Sequence, residues 1–272
     1  MPIQHVRTCV MVTDFGLRDP FVGVLHGVIC SLSPGVRVVD LTHQLPAYNV
    51  EAASFVLEQS LPFFPPGSVF LVVVDPGVGS SRRVIVVSDS RHYFVAPDNG
   101  VLSYVLKQPQ TRAWNVNKKE FFLSETPSTF EARDRMAPIA AWLCLGVDPG
   151  AMGPAIRDPM ILDAQAAEVI SNRVTARVIY IDGFGNIITN LRADRLPEPT
   201  AGSRTSALRA VINGHAVERL VSSYTQGGTG EAVLIAGSHG YLEIAMMRQS
   251  AAAEFNVALN DPVYFEWHPD SA

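Results

Sequence analysis

The apolar positions of this chain fall into two regimes. In the first, residues 8–13 and 70–74 are apolar runs rich in β-branched side chains. Such runs suit strands buried on both faces, as in a parallel sheet covered by helices. Residues 36–41, 83–88 and 92–96 read as further strands. Between them, residues 21–32 carry apolar side chains at helical spacing and stop at Ser33-Pro34-Gly35. Residues 49–59 form an amphipathic pattern ended by prolines 62, 65 and 66. Residues 101–106 and 136–145 also read as helices. The polar stretch 107–127 reads as irregular, pinned to the body by Trp114, Phe121 and Phe122. Strands alternating with helices predict an N-terminal three-layer α/β domain with a mostly parallel sheet over residues 1–160.

The second regime begins after Gly146. Asp148-Pro149-Gly150, Gly153-Pro154 and Asp158-Pro159 punctuate a segment without periodicity, which reads as a linker. Short strand-like pieces follow at 173–181, 186–191, 207–212, 232–236 and 241–246, separated by Gly, Asn and Ser turns. They predict a C-terminal all-β barrel domain over residues 168–272.

Three acids, Asp14, Asp40 and Asp75, close apolar strands of the predicted sheet. Parallel strands point the same way, so their carboxyl ends gather on one edge, where open α/β sheets bind ligands. One such acid is often only a turn former; three in one sheet favour a site. A carboxylate there suits a ribose diol, because it accepts from both hydroxyls. Asp75 leads into Pro76, Gly77 and Gly79, which force a loop, and then into Arg82 and Arg83. Either arginine could fold back on Asp75, to build a site or simply to close the loop. No lysine follows the glycines as a Walker loop requires, and no dinucleotide fingerprint joins the first strand to the first helix. Asp182-Gly183-Phe184-Gly185-Asn186 fits two readings. It is a ring-binding loop with Asn186 on a purine edge, or a plain hairpin with Phe184 in the core. Ala236 to Tyr241 reads as a turn first and a ligand loop second.

Composition narrows the field. With 272 residues, 47% of them hydrophobic, the chain can bury a substantial core. The net charge of -5, with acids and bases interspersed, offers no basic stripe for nucleic acid. Cys9, Cys30 and Cys144 are far apart and odd in number, which suits a reducing interior. The seven histidines are scattered, so no metal site is expected and His43 reads as structural. No apolar run reaches membrane length and the N-terminus lacks a signal-peptide layout, so a soluble cytoplasmic protein is expected.

Read together, several words of the sequence are specific. Thr13-Asp14-Phe15-Gly16, Asp40-Leu41-Thr42-His43, Val74 to Gly79, Ala96 to Gly100, Thr129-Phe130, Asp182 to Asn186 and Gly240 to Ala245 occur in the order found in the S-adenosyl-L-methionine (SAM) hydrolase family. This adenosyl-forming family, also called SAM hydroxide adenosyltransferases or DUF62, is related to the SAM-dependent fluorinase and chlorinase. The resemblance spans nearly the whole chain. It implies SAM as substrate with no further cofactor, and a homotrimer with SAM between the N-terminal domain of one subunit and the C-terminal domain of the next. By motif position it implies that Asp14 holds the ribose hydroxyls and Tyr48 lines the ribose pocket. Asp19, Asp182 and Ser238 fall at the methionine end, and Phe184 and Asn186 at the adenine. Tyr241 belongs to the same C-terminal substrate-binding set. Asp75 and Arg82 match two members of an Asp–Arg–His set that positions water.

The third member departs. Where hydrolases read Thr-Phe-His-Gly-Arg-Asp, this chain reads Thr-Phe-Glu-Ala-Arg-Asp, with Glu131 in the histidine's place. Glu131 has three readings: a substitute proton acceptor, a bystander pointing away, or a second carboxylate that captures Arg82 and slows turnover. The expectation is hydrolysis of SAM to adenosine and L-methionine, with Asp75, Arg82 and Glu131 as the catalytic set. The alternatives are a SAM- or adenosine-binding protein with little turnover, or a halogenase. Asp75 argues against halide, since two unit negative charges about 4 Å apart repel by roughly 4 kcal/mol at an effective dielectric near 20. On this reading Glu131→His raises hydrolysis.

Overall fold

Burial along the first strand alternates between two layers. Cys9 and Met11 pack into one apolar cluster with Leu25, Ile29, Ile139 and Leu143, while the equally buried Val10 and Val12 lie outside it. That is the period-two signature of a strand covered on both faces. The computed structural model describes residues 7–124, 126, 129–163, 166–196 and 207–268. The chain divides into two compact units, Met1–Asp163 and Ala164–Ala272.

The first unit runs β1 (Thr8–Thr13), α1 (Phe21–Leu32), β2 (Arg37–Thr42), α2 (Val50–Ser60), β3 (Val69–Val73), β4 (Val84–Ser88), β5 (Tyr93–Pro97), α3 (Ser103–Leu106) and β6 (Arg112–Asn115). A π-helical turn (Ala132–Met136) then passes into α4 (Ala137–Cys144), followed by α5 (Pro149–Met152) and β7 (Ala155–Ile156). Seven strands order as β2-β1-β3-β5-β4-β6-β7. The pairs β2–β1, β1–β3 and β3–β5 are parallel, and β4, β6 and β7 extend the sheet antiparallel. Helices α1 and α4 pack together over one face, and α2 and α3 pair with each other, α2 also contacting β1. The Asn49 side chain caps α2 by accepting from Ala52 N–H at 2.8 Å.

Two expectations need correction here. The stretch 107–127 contains a strand, β6, with Trp114 buried against the core. Its short apolar content hid it. The segment after Gly146 is no linker. Asp148 caps α5 by accepting from Gly150 N–H at 2.6 Å, and β7 pairs with β6. Gly153 is there because a Cβ would lie 1.9 Å from the Asn115 carbonyl oxygen. The punctuation marks tight packing against the sheet edge.

The second unit comprises β8 (Glu168–Ile170), β9 (Arg173–Ile181), β10 (Ile187–Arg192), β11 (Ala207–Ile212), β12 (His215–Val217), β13 (Leu220–Val221), β14 (Ala232–Ala236), β15 (Tyr241–Met246), α6 (Ala251–Glu254) and β16 (Pro262–His268). Its strand path is β12-β11-β16-β9-β10-β15-β14-β13, with β8 on β9. The sheet curls until β12 approaches β14. Among the described residues its end strands do not pair, so the expected barrel is a half-barrel.

Candidate active site

Parallel pairing sets the site. Thr13 of β1 stands opposite Val73 of β3. Asp14 and Asp75, one and two residues further on, therefore leave the same sheet edge. Both line a cleft of about 400 Å³ with Tyr48, Phe130 and Glu131. Tyr48 sits at φ 64° and its N–H donates to Asp14 Oδ2 at 2.8 Å. Phe15, Phe21 and Phe130 form an aromatic wall with ring centroids 5.2–6.0 Å apart. Asp40 does not join this cleft. It lies inside β2 and pairs with His26 Nε2 at 2.8 Å. His43 Nε2 is 3.0 Å from the same oxygen but off the line of a hydrogen bond. His43 is structural: buried, with Nδ1 2.8 Å from Thr13 Oγ1 and its carbonyl accepting from Gly16 N–H at 2.7 Å. Asp19 is exposed on the loop after β1.

At the cleft floor, Arg82 folds back on Asp75. Its Nε donates to Asp75 Oδ1 at 2.7 Å, and its Nη2 donates both to Asp75 Oδ2 and to Glu131 Oε2, the latter at 2.5 Å. The side chains of Asp75, Arg82 and Glu131 are 7%, 8% and 6% exposed. Burying two carboxylates is tolerable only because each is paired. Arg82 Nη1 is buried without a hydrogen-bond partner among the described residues. Glu131 thus points at Arg82 rather than away. Its other oxygen, Oε1, is 3.1 Å from Arg135 Nη1.

The loop ends are pinned by the turn after β5. Asn99 Nδ2 donates to the Val74 carbonyl at 2.8 Å, and Arg83 Nε donates to Asp98 Oδ2 at 2.7 Å. Arg83 also reaches Asp158, and these partners raise its pKa: first the hydrogen bond to Asp158, then that to Asp98, against burial. Arg83 therefore braces the loop, while Arg82 pairs with the two cleft carboxylates. In the sequence Asp98 and Asn99 stood out only as part of the word Ala96 to Gly100, with no role attached, and Arg135 did not stand out at all.

The platform under Glu131 has a sequence cause. Pro138 has no N–H and its ring collides with the carbonyl four residues back, that of Asp134. The helix answers by widening into the π-turn over Ala132–Met136. The Asp134 carbonyl instead accepts from Leu123 N–H at 2.9 Å.

In the second unit, Asp182 organises its loop. Its Oδ1 accepts from Phe184 N–H and Asn186 N–H, both at 2.9 Å, and its Oδ2 accepts from Asn186 Nδ2 at 2.8 Å. Gly185 has φ 82°, and a Cβ there would lie 2.0 Å from Ser250 Oγ. Phe184 is 82% exposed, which overturns the reading that places it in the core. Asp182, Phe184, Asn186 and Tyr224 line a cavity of about 560 Å³. Ser238 lies exposed on the β14–β15 turn, and Tyr241 opens β15 with Arg192 over its ring at 5.3 Å; neither lines this cavity. Tyr224 Oη donates to Glu243 Oε2 at 2.9 Å. Burial, with a smaller push from the Asp182 charge, raises the Glu243 carboxyl against the lowering effect of that bond. Glu243 was legible as a lone acid inside an apolar strand.

Among the described residues no three His, Cys, Asp or Glu side chains are grouped to hold a metal, and no helix is long and apolar enough to cross a membrane. The first unit is an α/β domain with an acid-lined small-molecule cleft at its sheet edge, and the second is an all-β unit with a ring-sized cavity. Residues 9–153 match the SAM hydroxide adenosyltransferase N-terminal domain, and residues 176–264 match its C-terminal domain. A Thermus thermophilus protein named (R)-S-adenosyl-L-methionine hydrolase is 34% identical over 95% of this chain and 99% of its own length. The crystal structure of an uncharacterised conserved protein from Thermotoga maritima superposes with a TM-score of 0.86 at 33% identity, covering 94% of this chain and 99% of that one. A fluorinase from an Actinoplanes species is 26% identical over 94% of this chain and 96% of its own. The chain belongs to the SAM hydroxide adenosyltransferase family.

Proposed function

We propose that this protein hydrolyses SAM to adenosine and L-methionine. The observation that carries the reading is the Asp75–Arg82–Glu131 chain at the floor of the cleft. The sulfonium is already a good leaving group and needs no general acid. The protein's task is to align a water opposite sulfur, accept its proton and exclude bulk solvent. The water oxygen bonds to C5′, the C5′–S bond breaks with its electron pair going to sulfur, and one water proton passes to a carboxylate. Asp75 and Glu131 face the cleft, whereas neither Arg82 nor Arg135 is among its lining residues. Acceptors in front and cations behind favour water over halide.

Asp14, which already accepts from Tyr48 N–H through one oxygen, has its other oxygen for a ribose hydroxyl, and Tyr48 borders the same pocket. The exposed ring of Phe184 and the carbonyl oxygen of Asn186 suit an adenine. Asp182 already accepts three bonds inside its own loop, so its part at the methionine end, with Asp19 and Ser238, is charge rather than a fresh hydrogen-bond set. The reading includes a cytoplasmic homotrimer with sites at subunit interfaces, which light scattering tests.

The activity test incubates the full-length protein with SAM and chloride and separates the products. Adenosine and methionine in equal amounts, with no 5′-chloro-5′-deoxyadenosine, are expected. SAM binding by calorimetry without adenosine above the protein-free control overturns the enzyme in favour of a SAM-binding protein.

A further inference from the structure

We infer that Arg135 is a positioning residue for this reaction, holding the Glu131 carboxylate in the orientation that faces the cleft. The inference rests on the hydrolase reading above. A glutamate's terminal torsion is broad, so one contact does not fix its carboxylate plane. Arg82 supplies only one contact, to Oε2, through a nitrogen that it shares with Asp75. Arg135 supplies the second, at Oε1. With each oxygen on a different cation, rotation about that torsion breaks both pairs.

Arg135 is itself held. Its guanidinium lies over the Phe122 ring, 5.2 Å from the centroid, and Phe122 packs against the core. The neighbouring acid, Asp134, accepts from Arg133 through two bonds of 2.7 and 2.8 Å. Glu131 caps the π-turn and Arg135 lies within it, four residues on, a spacing at which side chains on a helical surface are neighbours. Glu131 also precedes Arg135, the favourable order for an i,i+4 pair.

The test compares Arg135→Gln, Arg135→Lys, Glu131→Gln and the double variant Glu131→Gln/Arg135→Gln in the full-length protein, with thermal melting to confirm folding. Arg135→Gln is expected to lower kcat about tenfold with KM for SAM within about twofold. Arg135→Lys, keeping the charge, is expected to recover most of that loss. In the Glu131→Gln background, removing Arg135 is expected to cost nothing further, because its effect runs through the carboxylate. If Arg135→Gln does not fold, Arg135→Met, which keeps an apolar stem over Phe122 and removes the charge, carries the same comparison with and without Glu131→Gln. Unchanged kcat in the single variant, or equal losses in both backgrounds, overturns the positioning role while leaving the hydrolase reading intact. A wild-type protein that releases no adenosine overturns both.

Discussion

Arg82 places one nitrogen between two acids: Nη2 donates to Glu131 Oε2 at 2.5 Å and to Asp75 Oδ2 beside it. Asp75 is buried against that cation, and Glu131 against it and Arg135. Removing one member of a buried pair strands its partners, at a cost of roughly 3–5 kcal/mol. Arg82→Gln should therefore lose stability of that order in chemical denaturation and lose SAM hydrolysis by about a hundredfold or more. Arg82→Lys should fall between, because an ammonium is a point charge and cannot span two carboxylates as the planar fork does. Full activity in Arg82→Gln would sink the proposed catalytic set.

From sequence alone, Glu131→His looks like repair of a defective triad. The pairing reverses the expected sign. A neutral imidazole gives neither Arg82 nor Arg135 an acid, and a protonated one adds a third cation beside them. Glu131→His and Glu131→Gln should both lower kcat, by about a hundredfold. A rise in adenosine release from the histidine variant would show that the Arg82–Glu131 contact obstructs turnover.

What the sequence makes legible follows from range. Strands with period-two or unbroken apolar runs, such as β1 and β15, carry their signal in their own residues, and so does α1. Asp14 and Asp75 were readable as a pair because parallel pairing sends successive strand ends to one edge. Asp40 looked identical in sequence, yet it lies inside its strand and His26 from α1 pairs with it. Phe184 was ambiguous because flanking glycines fix no direction for its ring, and the packing of Gly185 on Ser250 spans 65 positions of sequence. Arg135 stands at an ordinary i,i+4 spacing from Glu131, but the sequence did not show that Glu131 turns toward Arg82, 49 positions earlier, which is what makes the pair matter.

Gly185→Ala tests the loop that turns Phe184 outward. The backbone at φ 82° is strained for alanine, and its Cβ would meet Ser250 Oγ at 2.0 Å. Ser250 cannot simply rotate away, since the same oxygen caps α6 by accepting from Ala253 N–H at 3.0 Å. A loss of about 1–3 kcal/mol in denaturant unfolding is expected, with weaker binding of adenosine by calorimetry. An unchanged unfolding midpoint would mean that the loop relaxes without cost.

Tyr224 carries a pH signature. Its ring is partly exposed, but its hydroxyl reaches the buried Glu243. Burial first, and then the hydrogen bond to and charge of Glu243, push its pKa up to about 12 from 10.0. A phenol whose folded value lies above its unfolded one favours folding while neutral. That contribution is fully present below pH 10 and fades as pH rises through about 12. The ultraviolet difference titration of wild type against Tyr224→Phe should therefore show one tyrosine ionising near pH 12. Glu243→Gln removes the neighbouring charge but not the burial, so it should bring that midpoint part of the way back toward 10. A midpoint already at 10 in the wild type would show that the hydroxyl stands in water and that Glu243 lacks this partner.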